Sequence, residues 1–374
     1  MTIAITGGYG FVGWHTAVLL RTMKVEDTVL IGRDVFADRH DLAKAIDGVD
    51  TVIHLAGVNR AGSDSEVEEG NVRIAEQLSD ALAAAAQPTH VVYGNSVQSR
   101  QDNAYGRGKA RAGEILQGMA QRTGGSLADA ILPNLFGEHG APHYNSFVAT
   151  FCHEIAHGVS PVIEVDKTVS LLHVQDAAAN LVSAARRRGN HVGAPAGEEH
   201  QVSDVLDRLR QFDSQYRAGQ IPALLDKFSV DLFNTYRSFM FPQHFPFGAE
   251  VHADQRGELF ETVRFHGGTG QTFASTTVPG AVRGDHYHLS KIERFFVLSG
   301  TAEISLRRVL HEDVVRFRVT GSDHAFVDMP TLWVHNIKNV GDEELVTMFW
   351  ADQLLNPAAP DTYWESVDSG EPRQ

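Results

Sequence analysis

One cysteine, Cys152, is all that 374 residues carry, so no intrachain disulfide can form. That fits a reducing cytoplasm. Positive charge is scarce too: 32 Lys and Arg stand against 47 Asp and Glu, a formal net charge of −15. Nucleic acid and anionic membranes both need a basic face, so neither is expected as a partner. A phosphorylated ligand stays open, because a helix N-terminus attracts an anion locally. No apolar run reaches membrane-spanning length. No basic segment precedes an apolar one, and the first strand is expected at residue 2 or 3, so no removable leader is expected. There is no internal repeat, and no low-complexity segment beyond one alanine-rich helix. The expectation is a cytoplasmic globular protein, long enough for two domains.

What is present falls into two patterns. In the first half, short apolar runs ("TIAITGG", "TVLIGR", "DTVIHLAGV", "THVVYGNS", "ADAILP", "VSLLHV") alternate with helical stretches. The helices are expected at 11–23, 71–86, 104–122, 145–157 and 176–188. Such alternation implies a Rossmann-type doubly wound parallel sheet covered on both faces. Residues 203–240 read as helical and then irregular, and "FPQHFPFG" (241–248) breaks the pattern. Beyond it, short strands punctuated by Gly, Pro and Asp suggest a small antiparallel jelly-roll barrel. The domains are accordingly expected at 1–243 and 244–374.

Gly7, Gly10 and Gly13 form a GxxGxxG loop between the first strand and the first helix. Glycines there allow a tight turn and close backbone approach to a pyrophosphate, which the helix N-terminus attracts. Phe11 and Val12 complete the loop, and Leu55, Ala56 and Gly57, after a middle strand, are expected as further cofactor contacts. About twenty residues past the loop, "IGRDVF" sets Arg33 before Asp34. An acidic residue there suits the ribose of NAD and an arginine the 2′-phosphate of NADP; the reading leans to NADPH.

In "NSVQSRQDNAYGRGK", Tyr105 and Lys109 are four apart and share a helix face. A nearby ammonium is expected to lower the phenol's pKa toward useful proton transfer. Ser96 could hydrogen-bond the same substrate oxygen, with Ser99 as a competitor. Together with "HLAGVN", "PNLFG" and "LLHVQDAAANL", these residues resemble the extended short-chain dehydrogenase/reductases. The resemblance implies that Tyr105 transfers a proton, that Lys109 holds the nicotinamide ribose, and that Asn134 touches a nucleotide-sugar substrate.

Near the other end, "GDHYHLSKIERFFVLSG" places His286 and His288 two apart, on one face of a strand, with Glu293 five further on. His335, in "MPTLWVHNIKN", is a fourth candidate ligand. Three histidines and a carboxylate suit a borderline divalent metal such as zinc, iron or manganese, with zinc as the leading expectation. His311 and His324 show no such spacing. The stretch resembles the first cupin motif position for position. The second motif carries Leu332 where the family has a glycine, and a glycine there permits a tight turn. "DQRGELFE" (254–261) is similar to a motif of nucleotide-sugar epimerase cupins, which implies a substrate contact at Arg256.

A sugar C–H beside a ketone is acidic, so a base can remove the proton and return it from the other face. Reduction of the ketone ends that acidity, so epimerisation must come first. Over nearly its whole length, with "QDNAYG", "YNSFVATFC" and "NPAAPDTYW", the sequence resembles bifunctional reductase–epimerases of bacterial capsular polysaccharide and O-antigen synthesis. Gly108 departs from that family's usual serine. The resemblance implies a UDP-activated 4-keto deoxy amino sugar, C3 epimerisation in the cupin, NADPH-dependent reduction at C4, and a homodimer. His288, Lys291 and Tyr287 are candidates for the cupin base. The alternative is a one-step reductase whose cupin is structural or regulatory.

Overall fold

The structure, a computed structural model, describes residues 1–25, 27–248, 251–254, 257–260, 262–266, 270–353, 356 and 358–368. By spatial proximity the chain forms two compact units. One comprises residues 1–136, 143–146 and 167–201, and the other residues 137–142, 147–166 and 202–374.

In the first unit, apolar runs become a parallel sheet. Its strands are β1 (Ile3–Thr6), β2 (Thr28–Ile31), β3 (Thr51–His54), β4 (His90–Ser96), β5 (Ser126–Leu132) and β8 (His191–Gly193), in the order β2-β1-β3-β4-β5-β8. The remaining strands, β6 (Asn134–Phe136), β7 (Thr168–His173) and β9 (Glu198–Gln201), form a separate small sheet. The helices are α1 (Phe11–Thr22), α2 (Arg33–Ala37), α3 (Arg39–Ile46), α4 (Asp64–Ala83), α5 (Ala104–Thr123) and α7 (Val174–Arg187). Alternate strand residues face opposite ways. Ala4, Val52, Val91 and Leu127 pack on Leu78, Leu82, Leu116 and Met119 of α4 and α5, while α1 and α7 pack together.

Two helix starts show local causes. Helix α4 begins seven residues before the expected one, because Ser63 caps it by accepting from Glu66 N. Helix α5 starts behind Asn103, whose side chain accepts from Gly106 N at 2.7 Å, and ends at Gly124 in the left-handed conformation (φ +73°).

The second unit holds α6 (Phe147–Ala156), α8 (Val202–Arg217) and α9 (Lys227–Met240) together with an all-β region. Its strands are β10 (Phe247–Gly248), β11 (Val251–Asp254), β12 (Gly257–Phe260), β13 (Gln271–Thr277), β14 (Val282–Tyr287), β15 (Glu293–Ser299), β16 (Thr301–Arg308), β17 (Val314–Thr320), β18 (Ala325–Met329), β19 (Trp333–Asn339), β20 (Leu345–Ala351) and β21 (Tyr363–Trp364). Ten of them form two five-stranded antiparallel sheets, β10-β18-β15-β20-β13 and β17-β16-β19-β14-β21. Phe295, Val327 and Phe349 from one sheet share a core with Ile304, Leu306 and Ile337 from the other. This is the double-sheet jelly-roll expected, following a doubly wound α/β sheet. Helix α9 is tied to it by Arg237, whose Nη2 donates to Met329 O at 2.7 Å. Among the described residues, no helix is long and apolar enough to cross a membrane.

Candidate functional site

The glycine loop follows β1 directly. Gly7 lies at φ +67°, and a Cβ there would fall 2.9 Å from Ala56 N. A Cβ at Gly13 would lie 2.1 Å from Gly7 O, so a side chain at either position would push the turn open. Gly10 donates to Gly7 O at 2.9 Å and caps α1, whose first turn is Phe11, Val12 and Gly13. Thr6 Oγ1 accepts from Leu55 N and Ala56 N at 3.2 and 3.3 Å, and meets His54 Nδ1 at 2.7 Å. Complete burial pushes the His54 imidazole down to about 3, so the ring is neutral and serves as a fixed hydrogen-bond partner. Asn71 then holds the next stretch: its Oδ1 accepts from Val58 N, and its Nδ2 donates to Val58 O. Sequence reasoning named neither role, although His54 opens the quoted "HLAGVN". Arg33 and Asp34 are the first two residues of α2, and both are exposed.

Tyr105 and Lys109 lie in the first turns of α5. A Cβ at Gly106 would lie 2.2 Å from Gln98 O, so the helix start presses on the turn that follows Ser96. Ser96 ends β4 and accepts from Gln98 N at 3.2 Å, which leaves its hydroxyl hydrogen free to donate. Gly108 abuts α4, where a Cβ would meet Glu68 O at 3.0 Å; the missing serine is thus a close helix contact. Lys109 is 4% exposed, donates to Gly94 O at 2.7 Å, and sits 4.3 Å from the Tyr93 ring centre. Burial lowers its pKa to about 7, with Asp129 opposing the fall.

Tyr105 departs from the expectation. Its pKa is pushed up to about 12, by burial first and then by Tyr144. Desolvation outweighs any help from an ammonium, and the phenol is fully protonated at neutral pH. A phenol in that state can give up a proton but is not the phenolate that accepts one. Tyr144 was not singled out by its sequence. The Arg60 guanidinium lies 5.5 Å from its ring centre and donates to His143 O at 2.9 Å and Asn145 Oδ1 at 3.1 Å. Asn134 opens β6, is exposed, and donates to Ser170 O.

The second cluster forms where β14, β15 and β19 meet. Nε2 of His288, His335 and His286 lie 3.0, 3.4 and 3.9 Å from Glu293 Oε2. One potential ligand atom from each of the four residues falls within 4.8 Å of all the others. The β-bulge between Gly284 and His286 and the left-handed Asp285 (φ +62°) shape the start of this edge. Leu332 adopts φ +65° in the turn where a glycine was expected, and its N–H donates to His288 O at 2.8 Å. His335 therefore reaches the cluster without the glycine.

The donors fit a divalent metal. Nε2 of His288 and of His335 are buried and lack an aligned hydrogen-bond partner among the described residues. Burial first, and the neighbouring histidines after it, lower the His335 pKa to about 4, which leaves a neutral imidazole able to ligate a metal. Burial opposes ionisation of Glu293, yet His288 and its neighbours hold the carboxyl well below the usual range. Two outer nitrogens are anchored: His288 Nδ1 by Asp361 O and His335 Nδ1 by Trp333 O. Such anchoring fixes ring orientation and tautomer.

Asp361 was not foreseen. Its carboxylate accepts from Leu289 N, Ser290 N and Lys291 N at 3.0, 2.9 and 2.9 Å, clamping the turn between His288 and Glu293. Lys291 Nζ is engaged by Pro360 O and Thr362 Oγ1, and Tyr287 is buried against Tyr363. Arg256 lies outside the described residues.

Comparison with known proteins finds a match for each of the two regions. The model of the NAD dependent epimerase/dehydratase family matches residues 3–194, and that of the polysaccharide biosynthesis C-terminal domain matches residues 252–363. A Pseudomonas aeruginosa protein, UDP-2-acetamido-2,6-beta-L-arabino-hexul-4-ose reductase, is 30% identical over 99% of this chain and 100% of its own. The crystal structure of the capsular polysaccharide assembling protein CapF from Staphylococcus aureus superposes with a TM-score of 0.63. It is 29% identical and covers 98% of this chain and 100% of that one. A UDP-N-acetylglucosamine 4-epimerase from Methanobrevibacter ruminantium M1 shares the fold at 18% identity (TM-score 0.53), covering 64% of this chain and 98% of its own. The chain belongs to the NAD dependent epimerase/dehydratase family and carries a polysaccharide biosynthesis C-terminal domain behind it.

Proposed function

We propose that this chain is a bifunctional enzyme of capsular polysaccharide synthesis acting on a UDP-2-acetamido-2,6-dideoxy-4-hexulose. Residues 244–374, a cupin, invert C3. Residues 1–243 then reduce the C4 ketone to give UDP-N-acetyl-6-deoxy-L-talosamine, towards UDP-N-acetyl-L-fucosamine. The observation that carries the reading is a pairing. A chain similar over its whole length to a hexul-4-ose reductase holds both a protonated, half-buried phenol and a three-histidine, one-glutamate cage.

In the reductive step NADPH supplies the hydride. The Tyr105 hydroxyl gives its proton to the oxygen at C4, and Ser96 donates a hydrogen bond to that oxygen. Lys109 holds the nicotinamide ribose. Gly7, Gly10 and Gly13 admit the pyrophosphate to the N-terminus of α1, and Arg33 meets the 2′-phosphate. Asn134 and Arg256 contact the sugar nucleotide.

In the epimerising step the C3 proton leaves to a base and returns from the opposite face. His286, His288, Glu293 and His335 would hold a zinc ion, which polarises oxygen as a Lewis acid. Of the three candidate bases, Lys291 and Tyr287 are occupied by the contacts above and His288 is turned into the cage. We assign the base to none of them. The enzyme is read as a cytoplasmic homodimer.

The test supplies the 4-keto UDP-sugar in deuterated water without NADPH. Deuterium at C3 is expected. Its absence, with NADPH oxidation intact, would leave the one-step reductase as the reading.

A further inference from the structure

The apolar ring nearest the cage is held in the open. Trp364 is 53% exposed, yet every neighbour along its strand is fixed. Asp361 is bound to the 289–291 turn, Tyr363 is stacked on Tyr287 with ring centres 5.5 Å apart, and the 1%-exposed Glu365 meets Arg307 Nη2 at 2.6 Å. Trp364 itself pairs with His286 across β21 and β14, and its ring meets the His286 ring edge-on at 5.2 Å. His286, the cage residue that Trp364 touches, and Glu293 are the less covered members of the cage: their side chains are 15% and 12% exposed, against 2% and 0% for His288 and His335. An indole fixed at the mouth of a polar cage is a stacking surface for a ring with an apolar C–H face and a polar rim. A pyranose is such a ring. Uracil is not the occupant, because ribose and diphosphate hold it away from the carbon that must reach the cage.

We infer that Trp364 is the platform on which the substrate's sugar ring lies while its C3 faces the cage. The inference rests on the epimerase reading and names the residue that positions the sugar. Deuterium wash-in kinetics on the metal-loaded full chain test it. For Trp364→Ala, KM should rise about fivefold to tenfold with a smaller fall in kcat, and Trp364→Phe should restore KM to within about twofold. Metal content per chain should stay at the wild-type level in both. An unchanged KM in Trp364→Ala overturns the assignment, and so does lost metal that accounts for the whole effect. If the wild type itself incorporates no deuterium, the epimerase reading fails, and tryptophan fluorescence decides the platform separately. Addition of the 4-keto UDP-sugar should then change the emission of the wild type but not of Trp364→Phe, and UDP alone should leave both unchanged. An equal response in the two proteins, or a response to UDP alone, overturns it.

Discussion

Leu332 offers the sharpest test of the physical reasoning, because two effects of known size oppose each other there. Its backbone is left-handed (φ +65°), which costs an L-residue about 1–2 kcal/mol. Its side chain is 0% exposed, and truncating a buried leucine costs about 2–5 kcal/mol. Leu332→Gly relieves the first term and forfeits the second, so burial wins by roughly 1–3 kcal/mol. For a domain of this size that corresponds to a fall of about 3–10 °C in Tm. Leu332→Ala loses the packing and keeps the strain, so it should be less stable than Leu332→Gly by about 1 kcal/mol. Thermal and urea unfolding of the three metal-loaded proteins would give the order wild type, Gly, Ala. A glycine variant more stable than the wild type would refute the claim that packing holds this turn. Alanine and glycine variants of equal stability would refute the strain.

Tyr105→Phe should lower the rate of NADPH oxidation about 100-fold to 10,000-fold, the usual worth of a positioned proton donor, read from NADPH absorbance with the 4-keto UDP-sugar. Asp361→Ala frees the turn between the ligands and should weaken metal binding about tenfold to 100-fold in competition with a chelator, although residue 361 is not a ligand. His286→Ala should lower metal content directly, measured by elemental analysis. Lys109 carries a pH signature in the cofactor-free protein. Its folded pKa falls to about 7 from an ordinary 10.5. Burying the ammonium therefore costs the fold in full below pH 7, on the order of 5 kcal/mol. Between pH 7 and 10.5 the unfolded chain binds the extra proton, so stability rises with pH. Melts of wild type against Lys109→Met should show the variant more stable at neutral pH, with the gap closing as pH rises.

The sequence shows its regular elements where side-chain periodicity is strong. The strand at 333–339 and the helix start at Ala104 lie where apolar spacing puts them. Helix α4 starts earlier because its first turn is acidic and polar, so the cap, not periodicity, marks its beginning. Strand β14 shows in the paired histidines rather than in apolar periodicity, because "GDHYH" spends its alternation on polar residues and a bulge. The cage was legible because its ligand spacing is local, apart from His335. Asp361 was not, because it clamps a turn 70 residues earlier in the chain. The state of Tyr105 was misjudged for a similar reason. Spacing gives the neighbouring lysine, but burial is a property of the assembled fold.

The short segment from Asp361 to Val367 closes over β14 through backbone pairing, the Arg307–Glu365 ion pair, and a Val367 N–H held by Asp285. A premature stop codon just ahead of residue 360 would spare all four cage residues and every residue of the dinucleotide site. The shortened product would still have lost the carbonyl that aims His288. With the metal placed as proposed, such a genetic lesion would look, in the cell, like metal starvation of an intact gene product.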